Sequence, residues 1–164
     1  MKRDWLTGLL AHLRALHWCY WTAHWQAKGD PAYGDHLLYQ RLYEGMVDEI
    51  DGLAEKCVAY FGEKAVCPNA QIVTAAHLVQ QIHENGDLAT GLQMSEEVLQ
   101  RVIRELRDRL SEGGELSVGL EDYLGGLANA HETNQYLLGQ RLQQDQSVQH
   151  LVETWDDLAY RRQP

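Results

Sequence analysis

Helical periodicity runs almost without interruption through this chain, and it leaves few ways to build a core. Between Asp4 and about Lys28, Leu6, Leu9, Leu10, Leu13, Leu16, Tyr20 and Ala23 recur at spacings of three and four, with no proline to break them. Lys28-Gly29-Asp30-Pro31 ends this first helix, because glycine suits a C-terminal cap and the residue before proline avoids helical geometry. A second helix is predicted from near Gly34-Asp35 to Gly62, with Leu38, Leu42, Met46, Ile50, Leu53, Cys57 and Phe61 along one face.

After Cys67-Pro68-Asn69 a shorter helix over Ala70–Glu84 carries Ile72, Ala75, Ala76, Val79 and Ile82 and stops at Asn85-Gly86. Ser95 is read as the cap of a further helix, with Glu96 and Glu97 in its first turn, Val98, Val102, Leu106 and Leu110 in the core, and Gly113-Gly114 at its end. A last long helix covers roughly Val118–Gln143. Ser147 then caps a terminal helix to Arg161 with Val148, Leu151, Val152, Trp155 and Leu158. No segment alternates with period two and no longer unit repeats. The predicted fold is all-α: a ferritin-like four-helix bundle with one long crossover containing a short helix, plus a C-terminal helix, in a single domain over residues 1–164.

Composition narrows the function. With 45% apolar and 23% charged residues the chain is neither disordered nor low-complexity. A net charge of −10 repels nucleic acid and attracts cations. No apolar window reaches membrane-span length, and Asp4, His12 and Arg14 interrupt the N-terminal stretch, so neither insertion nor secretion is expected. Cys19, Cys57 and Cys67 are odd in number and lack CxxC spacing, which points to buried, reduced thiols in a cytosol.

On the second helix, His36, Gln40, Glu44, Asp48, Asp51 and Glu55 fall within one arc beside the apolar face. Such a stripe is either a solvated face or a row of metal ligands. His24, near the end of the first helix, favours ligands, because the intervening turn can bring it beside His36. Asp51 and Glu55 lie one turn apart on one face and suit a hard cation; imidazole with carboxylate suits iron, manganese or zinc. His36 and Asp51 are nevertheless about 22 Å apart along one helix, so one metal cannot bind both from a single chain. Antiparallel pairing with a second copy across a two-fold axis brings the His36 end of one subunit to the Asp51/Glu55 end of the other and makes equivalent sites. Gly45, near the midpoint, would permit close approach there or be an ordinary small contact. None of the glutamates has histidine three residues later, so the Glu-x-x-His pairs of an intrasubunit di-metal centre are missing.

These residues carry a family likeness. His24-Trp25-Gln26-Ala27-Lys28-Gly29, His36 twelve residues after His24, Asp51-Gly52-Leu53-Ala54-Glu55-Lys56 and Gly62 together resemble the signature of the Dps family, the DNA-binding proteins from starved cells or mini-ferritins. The resemblance implies a cytoplasmic dodecameric shell with ferroxidase sites at two-fold interfaces. Fe(II) would be oxidised there, usually by hydrogen peroxide, and stored as ferric mineral, which protects against oxidative stress. Carried over by position, His24 and His36 would bind metal from one subunit and Asp51 and Glu55 from its partner. Trp25 would sit beside the site, intercepting one-electron oxidants or simply packing.

Three departures stand out. Gln40 occupies the position of a family aspartate and offers a neutral, weaker ligand, with Glu44 one turn further as a substitute. Lys56 replaces an arginine and loses its bidentate fork. Asp35 replaces an apolar residue, adding an acidic group near the site or a helix cap. Gln40 motivates a rival expectation, a Dps-like structural shell whose ferroxidase site is weakened or lost. Some relatives compact DNA through basic tails, but Lys2, Arg3, Arg161 and Arg162 are too few here for strong binding by one chain. His12, His17, His77, His83, His131 and His150 show no further ligand spacing, and His131 and Glu132 point to different helix faces.

Overall fold

The computed structural model describes the backbone of residues 2–160 apart from 30 and 85, and side chains over 5–143 with the same exceptions. Five helices follow one another: α1 (Lys2–Gln26), α2 (Ala32–Phe61), α3 (Pro68–Glu84), α4 (Leu88–Glu112) and α5 (Val118–Tyr160), with a short 3-10 turn at Glu63–Val66. No strand occurs among the described residues. α1 packs on α2 and α4, α5 packs on α4 and reaches α2, and α3 lies in the crossover against α1 and α4. This is the ferritin-like bundle. Among the described residues no helix is long and apolar enough to cross a membrane.

The apolar stripe of α1 is buried throughout: Leu6, Leu9, Leu10, Leu13, Leu16, Tyr20 and Ala23 all enter the core, facing Leu42, Met46, Leu53 and Cys57 of α2. Gly29 turns the chain between α1 and α2 with φ 81, a left-handed value that other residues adopt at a cost.

Four expectations need correction. α4 starts at Leu88, because Asp87 after the Asn85-Gly86 break is the true cap: its carboxylate accepts from the Thr90 N–H at 3.0 Å and the Thr90 hydroxyl at 2.9 Å. Ser95 is instead mid-helix and buried, 2.8 Å from His12 Nε2, and Glu96 is in the core rather than a solvated first turn. The buried face of α4 consequently runs through Leu92, Leu99, Ile103, Leu106 and Leu110, while Val98 is exposed and lines a cleft with α1 and α3. On α3, Ile72 is exposed and Ala75 and Ile82 make the contact. Cys67 is exposed; Cys19 and Cys57 are buried and free, and burial pushes both thiols up to about 11. α5 runs unbroken to Tyr160, so Ser147 starts no separate helix; no Gly or Pro between Gln143 and Ser147 interrupts the backbone bonding. The apolar side chains assigned beyond Gln143, His150 and the basic residues at both ends lie outside the described residues.

α3 and α4 meet backbone to backbone. A Cβ on Gly91 would lie 2.0 Å from the Ile82 carbonyl oxygen, which cannot rotate aside. Gly91→Ala is therefore expected to lower stability by about 3 kcal/mol through forced separation of the helices. An unchanged urea midpoint would refute this close packing.

Candidate metal centre

His24 lies in the last turn of α1 and His36 just inside α2, so the five-residue connection brings them face to face. Their rings stack with centroids 3.7 Å apart and planes inclined by 27°. His24 Nδ1 donates to the His36 carbonyl oxygen at 2.9 Å, and His36 Nδ1 donates to the His24 carbonyl oxygen at 3.2 Å. A carbonyl only accepts, so each ring carries hydrogen on Nδ1, which leaves Nε2 as the nitrogen able to ligate a metal. A backbone carbonyl that fixes the tautomer in this way is a common companion of metal-binding histidine. His36 is further anchored through its neighbour: Asp35 is neither a cap nor a free site acid, but is held by the Arg141 guanidinium of α5, through Nε on Oδ1 and Nη2 on Oδ2 at 3.0 Å.

An aromatic row flanks the pair. Tyr43 meets the His24 ring edge-on at 5.3 Å and stacks on Trp21 at 5.7 Å, and Trp21 contacts Trp25 at 5.1 Å. Trp25 is 65% exposed, so it does not fill the core of its own chain. His17 meets Trp21 at 5.5 Å; burial and the Arg14 charge lower its pKa.

The rest of the α2 stripe faces outward. Glu44, Gly45, Asp48, Asp51 and Glu55 are exposed, and the Gln40 amide donates to Glu44 at 2.8 Å. Among the described residues of one chain, no group of three or more His, Cys, Asp or Glu converges as metal ligands. His24 and His36 are together; Asp51 and Glu55 lie along the same helix at the distance its rise dictates. Beside this stripe on α2, Gly52 leaves room for the Tyr123 ring, which a Cβ would meet at 2.9 Å. Tyr123 donates to the Glu49 carbonyl at 2.6 Å, and Lys56 lies over its ring at 5.9 Å, so the amine's charge is directed at an aromatic face.

A second constellation, unanticipated from sequence, occupies the bundle interior. Tyr20 of α1 donates to Glu96 of α4, whose other oxygen is 2.6 Å from His131 Nδ1 of α5; His131 Nε2 is 3.2 Å from Glu49 of α2. Tyr20, Glu96 and His131 are fully buried. Burial alone would lower the His131 pKa, but the carboxylates of Glu49 and Glu96 more than reverse this and push it up to about 9. The nearby His12 is pushed down to about 4 by burial and by the His131 charge. A signal was present: Glu49 interrupts the stripe Leu42-Met46-Leu53, Glu96 the stripe Leu92-Leu99, and His131 the stripe Leu124-Leu127-Leu138. Polar residues in apolar stripes are buried and partnered. Glu132, by contrast, is exposed, as its different helix face predicts.

The order and packing of the helices define a ferritin-like fold. No family model and no curated protein matches the sequence. Solved Dps structures do match: that of Thermosynechococcus elongatus superposes with a TM-score of 0.71 at 19% identity, covering 86% of this chain and 91% of that one. The Vibrio cholerae O1 protein, described as a member of a broad superfamily of ferritin-like diiron-carboxylate proteins, gives 0.71 at 20% identity, covering 86% and 88%. DpsC from Streptomyces coelicolor gives 0.70 at 22% identity, covering 86% and 83%. At these identities the likeness establishes the fold: this chain folds as the Dps proteins do.

Proposed function

We propose that this protein is an iron-sequestering mini-ferritin that oxidises Fe(II), with hydrogen peroxide as oxidant, at sites shared between subunits, and stores the ferric product inside a hollow dodecamer. The observation that carries this reading is the reciprocal clamp between His24 and His36, which engages Nδ1 of both rings and leaves two adjacent Nε2 atoms as ligands. A second copy supplies the missing carboxylates, Asp51 and Glu55, by the two-fold pairing that the helix rise demands. The outer face of α1 and α2 suits such pairing: Trp18, Trp21, Trp25, Leu37 and Val47 are exposed large apolar residues on a strongly acidic chain.

Fe(II) is the substrate. The acidic chain attracts the cation, His24 and His36 hold it, and the partner's carboxylates favour the ferric product because they stabilise higher positive charge. Zinc and manganese suit the same donors and would compete. Free Cys19 and Cys57 fit a reducing cytoplasm. DNA binding is weak or absent on the charge balance.

Replacing Asp51 and Glu55 together with alanine is expected to bring peroxide-dependent oxidation by the metal-stripped protein close to the protein-free rate, with particle mass by light scattering unchanged. Wild-type rates in an assembled variant would overturn the assignment. Gln40 favours one other reading, because its amide occupies Glu44 rather than leaving that carboxylate open. In that reading the shell is structural. An assembled wild-type particle that oxidises Fe(II) only at the protein-free rate, anaerobically with peroxide and in air, would select it.

A further inference from the structure

We propose that the cleft between α1, α3 and α4 binds a small, neutral aromatic compound carrying one hydroxyl group, a phenol in chemical class, independently of the function assigned to the His24/His36 centre. The outer lobe of the cleft, about 320 Å³, is walled by Trp5, Leu9, Leu78, Val98 and Val102. An inner lobe of about 90 Å³ reaches Ile82, Met94 and Ser95, and His12, Leu78 and Val98 border both. An apolar cavity of about 150 Å³ already takes benzene, so the outer lobe has room for two fused rings. Val98 is exposed there, and covering such apolar surface drives binding.

The lining selects the occupant. No carboxylate, ammonium or guanidinium lines either lobe, so an ion entering it would lose water without meeting a counter-charge. His12 and Ser95, both buried, form the polar end and are 2.8 Å apart through His12 Nε2. His12 Nδ1 has no hydrogen-bond partner among the described residues, so the ring retains the capacity to meet a hydroxyl. Burial and the His131 charge push the His12 pKa down to about 4, which keeps this ring neutral and disfavours a cation beside it. Trp5, whose ring lies under the Arg109 guanidinium at 4.4 Å, and the Met94 thioether favour an aromatic occupant. Gly8 keeps the outer lobe open. Glycine is a poor residue for a helix interior, and a Cβ on it would meet no side chain or other helix within 4 Å, so packing does not require it.

Equilibrium dialysis of 2-naphthol against the full-length, assembled protein tests this. Saturable binding of one equivalent per chain is expected, retained in the His24→Ala/His36→Ala variant and weakened by at least about 10-fold in Gly8→Leu, whose side chain fills the outer lobe. His12→Leu should weaken it by about 3–10-fold, the loss of one hydrogen bond. Wild-type affinity in Gly8→Leu overturns the site, as does a lack of saturable binding to the wild type, the result expected if a second copy covers the cleft. Unchanged affinity in His12→Leu overturns the hydroxyl contact. Should Gly8→Leu fail to fold, imidazole NMR of the wild type decides: 2-naphthol must move the His12 resonances, and unmoved ones refute the proposal. Iron oxidation plays no part in these readouts, so the two readings fail separately.

Discussion

Replacing Glu96 with alanine is expected to destabilise the bundle by about 3–5 kcal/mol, the cost of removing one partner from a buried charged pair. Glu96 accepts from Tyr20 with one oxygen and holds His131 Nδ1 with the other, so its removal strands two groups at once. Both are fully buried, and neither can turn to water. Glu96→Gln keeps the shape and one acceptor and should cost less. Urea unfolding with an unchanged slope measures the difference; a loss below about 1 kcal/mol for the alanine variant would mean that the network adds little to stability.

Stability should also depend on pH from both sides of a maximum near about pH 6.5, through two histidines displaced in opposite directions. His131 faces Glu49 on α2 and Glu96 on α4, with Tyr20 behind Glu96 and His12 on α1, and its folded pKa is pushed up to about 9. Its contribution is therefore complete below its unfolded value near 6.5 and lost as the pH rises through about 9. His12, facing Ser95 and the His131 charge, is pushed down to about 4, so the unfolded chain takes up a proton first and stability falls as the pH drops from about 6.5 toward 4. Each limb amounts to about 3 kcal/mol. Tyr20 is raised well above its ordinary value and the buried thiols to about 11, so none of them titrates within this range. Urea unfolding of the metal-free protein from pH 4 to 9 should give a dome, flattened on its alkaline side in His131→Gln and on its acid side in His12→Asn. A wild-type profile in both variants would remove these groups as the cause.

The two centres differ in how they could be read. His24 and His36 were legible because both their separation and the connection between them are local: a short turn between two helices leaves few ways to arrange residues one turn from either end. The interior network was not, since its members come from α1, α2, α4 and α5, with 76 residues between the hydrogen-bonded Tyr20 and Glu96. Glu96 was hidden further by the misplaced start of α4. Counted from Ser95 it belongs to a solvated first turn, whereas counted from Asp87 it falls between Leu92 and Leu99 on the buried face.

By itself the sequence determined the helices, their apolar faces, the short and long connections that make a ferritin-like bundle, and the histidine pair across the first turn. These follow from backbone periodicity and chain reach, which act over a few residues. Only the tertiary structure decided which polar side chains share the interior, that Asp35 is held by Arg141 rather than left to the site, and that each carbonyl fixes the other histidine's tautomer. Those outcomes depend on the relative rotation and translation of helices distant in the chain, which packing sets to fractions of an ångström and local spacing does not encode.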